Sequence, residues 1–249
     1  MALKISDKVS LTVIRDSYSP WGSEETIGDV KTYTTGRQDA TIGVIDVYDV
    51  FGISNHTQQG ADLVASTLDA VVIVPDLLKG TYAKPEWFPL DSDEKRAHFF
   101  GFLKGYAAPN KHVDPLLEFM KHVQSRFPTV TKWGSFGLCW GAKVVALTSM
   151  ADTPFKVSAQ AHPGMLDPAD AKKITIPHLV MASKDEPSEA VANFKTVIEK
   201  NGSGGSLTTY MTMHHGWMGS KANLVEEETF VGYKQGYTQL IEFFKEYLV

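Results

Sequence analysis

The single cysteine of the chain, Cys139, stands between glycines two residues before and two residues after it, in Gly137-Leu138-Cys139-Trp140-Gly141. A strand-like run, Val130 to Phe136, precedes it, and a run of helical composition, Ala142 to Met150, follows. This is the pattern of a nucleophile elbow. The turn is so sharp that its central residue holds strained backbone angles, and the flanking positions must be nearly free of side chains. A thiol held there meets the N-terminus of a helix. The partial positive charge favours thiolate, and the next N–H points at any oxyanion forming on a bound carbonyl. The competing reading is a buried structural cysteine, which is what most free cysteines are.

A thiol of ordinary pKa, about 8.5, is only a few per cent ionised at neutral pH, so a cysteine nucleophile needs a histidine within hydrogen-bond reach and an acid to orient it. Asp185 follows the apolar run His178 to Ala182 and is the expected acid, with a helix-capping role as its alternative and Glu186 as the fallback. His214 and His215 follow a run ending at Met213, and alternation along an extended chain lets only one of them face the sheet edge. His162, before Pro163-Gly164, is a weaker candidate. His56, His98, His112, His122 and His178 read as ordinary polar or core residues. No set of His, Cys and carboxylates has ligand spacing on a shared element, so neither a metal nor another cofactor is expected.

Alternating elements must position these groups. Apolar runs at Ile42 to Tyr48 and Ala70 to Val74 read as buried parallel strands joined by a helix over Asn55 to Leu68. Further strands are expected at Val130–Phe136, Val157–His162, Pro177–Ala182 and Leu207–Met213. Helices are expected at Asp114–Arg126, Gly141–Met150, Ser188–Asn201 and Tyr233–Tyr247. This order predicts an α/β fold with a mostly parallel central sheet and helices on both faces. Ligand sites of such sheets gather at the carboxyl ends of the strands. Asp49, Cys139, Asp185 and His215 all fall just past a predicted strand end. The aromatic stretch from Lys79 to Lys111 breaks the alternation and reads either as a cover over a binding cleft or as a helical excursion packed on the core.

The chain has 249 residues, 43% of them hydrophobic, a net charge of -5 and a pI near 5.9. That suffices for one domain over residues 1–249 with a substantial core and no need of disulfides. The charge balance, with no dense Lys/Arg run, argues against nucleic acid or an anionic membrane as partner and for a small-molecule substrate. Met1 to Lys8 interleaves charges with apolar residues, unlike a secretion signal, and no stretch is long enough to span a bilayer. A lone thiol fits a reducing compartment, so a cytoplasmic monomer or homodimer is expected.

The order nucleophile, acid, base along the chain is that of the α/β-hydrolase architecture. Together with Asp49-Val50-Phe51-Gly52, Pro75-Asp76-Leu77 and His215-Gly216-Trp217, the elbow resembles the dienelactone hydrolase family over roughly residues 40 to 248, with fungal members the most similar. The resemblance implies a Cys139-His215-Asp185 triad. It selects His215 over His214, because the family's histidine precedes a small residue and an aromatic, and it puts the oxyanion hole at the amides of Trp140 and Val50. Asp49, Phe51, Trp217 and Lys221 would then line the substrate. Asp49 is shorter than the glutamate that bacterial members set against the thiol. No arginine matches those that bind the dienelactone carboxylate there, and Lys221 supplies a point charge without a bidentate fork. The substrate expected is therefore a lactone, ester or thioester more apolar or aromatic than a dienelactone, with Trp21, Trp87, Phe88, Trp140 and Trp217 as candidate contacts. A non-hydrolytic isomerase, cyclase or lyase using His215 and Asp49 is the alternative, and a redox-sensing binding protein a third.

Overall fold

A computed structural model describes residues 9–249; the reading of Met1 to Lys8 lies outside the described residues. In chain order the elements are β1 (Ser23–Ile27), β2 (Val30–Gly36), β3 (Ile42–Val47), α1 (Asn55–Leu68), β4 (Val71–Pro75), α2 (Asp93–Lys104), α3 (Val113–Arg126), β5 (Lys132–Leu138), α4 (Trp140–Thr148), β6 (Val157–Ala161), α5 (Pro168–Ala171), β7 (His178–Ser183), α6 (Ser188–Ile198), β8 (Ser206–Tyr210) and α7 (Glu227–Leu248). The sheet order is β1-β2-β4-β3-β5-β6-β7-β8. From β4 to β8 all pairings are parallel, while β1 and β2 form an antiparallel hairpin whose second strand pairs antiparallel with β4.

Every residue of β3 and β4 is buried, as expected of central strands covered on both faces. Phe136 of β5 meets Tyr237 and Phe244 of α7, so α7, packed beside α1, covers that face. The opposite face belongs to α4 and α6. There Ser149, just past α4, hydrogen-bonds Ser158 of β6, and Ala146 of α4 shares an apolar cluster with Val180 of β7 and Phe194 of α6. The crossover α1 starts on Ser54, whose hydroxyl accepts from the Thr57 amide at 3.2 Å, and stops where Asp69 turns left-handed at φ 51°.

Several expectations need correction at their edges, among them α7, which begins at Glu227 and not at Tyr233, and β5, which spans Lys132–Leu138 and not Val130–Phe136. The strand read over Leu207–Met213 ends at Tyr210, because a turn at Met211–Thr212 redirects the chain before the histidines. The stretch 79–111 contains α2, a helix with no buried residue, together with two short 3-10 turns. It forms a partly exposed layer whose Trp87, Phe88, Phe99 and Phe102 pack against the core, with Ala83 and Ala107 buried in it, and Phe88 and Phe99 also line the cavity described below. Among the described residues no helix is long and apolar enough to cross a membrane.

Candidate active site

Cys139 is the hinge between β5 and α4 and holds φ 53° and ψ -106°, a strained combination for a residue with a side chain. The two glycines make it possible. A Cβ on Gly137 would sit 2.2 Å from the Gly141 carbonyl oxygen, and one on Gly141 would sit 2.0 Å from that of Val47. The elbow is clasped by the loop after β6, since the Cys139 amide donates to Ala161 O at 3.1 Å and the Gly164 amide donates to Cys139 O at 2.9 Å. The thiol is half-buried, and Trp140 begins α4, so its amide is among the first-turn donors that an α-helix leaves without an internal partner.

His215 faces the same cavity as Cys139, near enough for the sulfur to act on the charge of its ring, and its Nδ1 lies 2.7 Å from Glu186 Oε1. Burial alone would lower the pKa of this imidazole. The neighbouring Cys139 sulfur and then the Glu186 carboxylate outweigh it and push the value up to about 10. Glu186 is 2% exposed and is fixed at the end of β7, where its carboxylate accepts the Ser183 hydroxyl at 3.0 Å and the Ser183 amide.

The acid expected from the sequence is therefore displaced by one residue. The Asp185 carboxylate points outward and accepts the backbone amide of His215 at 2.7 Å, so it braces the loop while Glu186 meets the ring. The reason is local: the chain turns after Ser183, and the bonds from Ser183 curl the second acid inward. His214 uses its Nδ1 within its own turn, against His215 O at 2.9 Å. His162, left-handed at φ 38°, is wholly buried, and both ring nitrogens lack a hydrogen-bond partner among the described residues. Its ring lies 5.3 Å from that of His215, and burial first, then the His215 charge, holds its pKa well below the usual value.

A cavity of about 210 Å³ opens onto these groups, lined by Asp49, Val50, Phe51, Phe88, Leu90, Phe99, Cys139, His215, Gly216 and Lys221. Asp49 is buried, and its bonds run to the Phe51 amide (2.9 Å), the Ser220 amide (2.8 Å) and the Ser220 hydroxyl (2.9 Å), not to the thiol. Burial raises its pKa against the pull of those donors. The carboxylate thus ties the loop after β3 to the loop carrying His215.

The tryptophans correct the expected substrate contacts. Trp217 is fully buried against Tyr210 and α7, away from the cavity. Trp140 is anchored by its indole N–H on Ala107 O at 2.7 Å and stacked on Tyr48. Trp21 is 56% exposed beside Tyr18, and Trp87 stacks on His98. Of the aromatics named from the sequence as substrate contacts, Phe51 and Phe88 reach the cavity. Leu90 and Phe99 join them from the excursion, where alternation gave no signal for which residues turn inward.

Comparisons with known proteins bear on the family and the fold. The profile of the dienelactone hydrolase family matches residues 30–248. An uncharacterized AIM2 family protein of Schizosaccharomyces pombe is 32% identical over 222 residues, covering 88% of this chain and 89% of its own, and a second from the same organism is 31% identical over 92% of each. Among solved structures, a Klebsiella pneumoniae protein assigned as a dienelactone hydrolase superposes with a TM-score of 0.71 at 17% identity, covering 92% of this chain and 100% of that one. A dienelactone hydrolase-like promiscuous phosphotriesterase from metagenomic libraries superposes at 0.65 with 15% identity, over 93% and 99%. At such identities these two structures carry the fold alone: an eight-stranded, mostly parallel sheet with helices on both faces.

Proposed function

The chain belongs to the dienelactone hydrolase family, and on that premise we propose that it cleaves a carboxylic ester, thioester or lactone through Cys139, His215 and Glu186. One observation carries the reading: a thiol at the tip of a strained elbow opens onto the same cavity as an imidazole whose Nδ1 is held at 2.7 Å by a buried carboxylate.

The Cys139 thiolate attacks the carbonyl carbon, forming the Sγ–C bond, and the oxyanion is received by the amides of Trp140 and Val50. Collapse breaks the bond to the leaving group, which departs with the proton from His215 and leaves an acyl-thioester. Water then attacks that thioester while His215 takes its proton. Collapse releases the acid and restores the thiolate–imidazolium pair. Glu186 keeps the ring oriented throughout and stabilises its charged form. Asp49 shapes the wall beside the thiol by holding Phe51 and Ser220.

The test is turnover of p-nitrophenyl acetate with intact-mass analysis under single turnover. Wild type should release p-nitrophenolate and gain an acetyl mass on Cys139, and Cys139→Ala should do neither. Equal rates for the two proteins overturn the assignment.

A further inference from the structure

Resting on the hydrolytic reading above, we infer that the acyl part of the substrate is uncharged and apolar, of the size of one aromatic ring with a short arm or a straight chain of comparable bulk. The walls of the cavity carry this. Phe51 and Phe88 lie 5.2 Å apart, and Phe88 and Phe99 meet edge-on at 5.0 Å, giving a continuous run of rings completed by Val50 and Leu90. Such a surface rewards desolvation of apolar carbon and offers nothing to a polar acyl chain.

The charged groups on the wall are turned to the protein's own groups. Asp49 is the one carboxylate there, and its oxygens are taken by Phe51 and Ser220. Lys221 is the one cation among the described lining residues, and its ammonium sits 4.7 Å above the Phe88 ring and 5.6 Å from that of Phe51, a cation–π arrangement that caps the aromatic wall. Cys139 and His215 remain for the reacting carbonyl.

Size follows from volume. An apolar cavity of about 150 Å³ accepts benzene, so 210 Å³ leaves about 60 Å³ more, room for on the order of two or three further heavy atoms. A phenylacetyl or hexanoyl group fills it. The acyl group is the occupant because it stays tethered to Cys139 through the second half of the reaction, whereas the leaving group must depart.

The experiment is kcat/KM on p-nitrophenyl esters whose acyl chain grows from acetyl to dodecanoyl, with phenylacetyl and the hemisuccinate alongside, and a parallel series of acetate thioesters lengthened on the thiol side. Wild type should gain up to about fourfold per methylene until the cavity is filled, near six to eight carbons, and then decline. The neutral esters should exceed the hemisuccinate. Phe99→Ala removes a ring from α2, an element with no buried residue, and should move the optimum to longer chains. A flat or falling acyl series, a gain confined to the thiol side, a preference for the hemisuccinate, or a Phe99→Ala optimum left in place overturns the inference. Cys139→Ala separates the two claims: if it retains turnover, the catalytic assignment fails, whatever the chain-length profile of the wild type.

Discussion

Replacing Glu186 by glutamine would leave His215 a neutral partner at 2.7 Å and remove one of the two negative groups that hold its charge. Loss of an oriented, correctly charged base is expected to cost about 10²-fold or more in kcat/KM. Asp185→Asn, which keeps an oxygen for the His215 amide, should cost less than about tenfold, since one exposed hydrogen bond is at stake. Measuring both variants on p-nitrophenyl acetate decides which carboxylate serves the ring; a larger loss in Asp185→Asn refutes the geometry. The pH profile follows from the same pair. The folded pKa of His215, about 10, lies above its free value, so the stabilisation of the imidazolium is complete below about 6.5 and is lost as pH rises toward 10. The alkaline limb of kcat/KM should therefore fall near pH 10 in wild type and at lower pH in Glu186→Gln. An unmoved limb would mean that Glu186 does not support the charge. Cys139 was legible from its neighbours because an elbow is a local structure, written in Gly137 and Gly141. The acid was not, because Asp185 and Glu186 are adjacent and chemically alike. What separates them is the curl imposed by two bonds to Ser183, a tertiary detail with no periodic trace.

The turn from β5 into α4 tolerates no Cβ at its second glycine. Gly141→Ala would drive a methyl to 2.0 Å from Val47 O, and because that oxygen is backbone of a central strand it cannot step aside. Destabilisation of about 3 kcal/mol or more is expected from such overpacking, read as a lower urea midpoint or as loss of soluble protein. An unchanged midpoint would show that the β3 and α4 backbones are farther apart than described. The elements that declared themselves in the sequence share one property, a pattern set by burial. The helix expected over Asn55–Leu68 has those limits in the structure, and the runs at Ile42 and Ala70 became the buried strands β3 and β4. β1 and β2 gave no such signal, because β1 is mostly exposed and β2 is rich in threonine with its apolar positions confined to Val30 and Tyr33. A cue was present in Gly28-Asp29, a two-residue connection with Gly28 at φ 60° between extended segments. The aromatic cover was legible as a departure from alternation, yet which of its rings turn inward depends on how α2 lies across the sheet edge. Sequence alone does not fix that.

One buried carboxyl is expected to make the stability of the domain fall as pH rises. Asp46 shares a sheet face with Phe136 by register, so it points beneath α7, toward Tyr233 and Tyr237, and both its oxygens lack a hydrogen-bond partner among the described residues. The two tyrosine hydroxyls are spent elsewhere, on His56 O at 2.6 Å and Met218 O at 3.1 Å. Burial first, and then the neighbouring Asp49 charge, raise the pKa of Asp46 well above its usual value, so the native state holds a proton that the unfolded chain releases near pH 4. For a carboxyl the sign is fixed: stability is undiminished below the unfolded pKa and declines as pH rises toward the folded one, by up to about 1.4 kcal/mol per pH unit for this group. Asp46→Asn keeps the shape and removes the titration. Urea unfolding at pH 5 and pH 8 should show a smaller loss of stability on going to pH 8 in Asp46→Asn than in wild type, and the variant should be the more stable protein at pH 8. If the two proteins lose the same amount between those pH values, Asp46 is not the group that carries the dependence. The alkaline sensitivity of the fold would then have to be sought in His215, where Glu186→Gln, which removes one of the groups that raise its pKa, would reduce it.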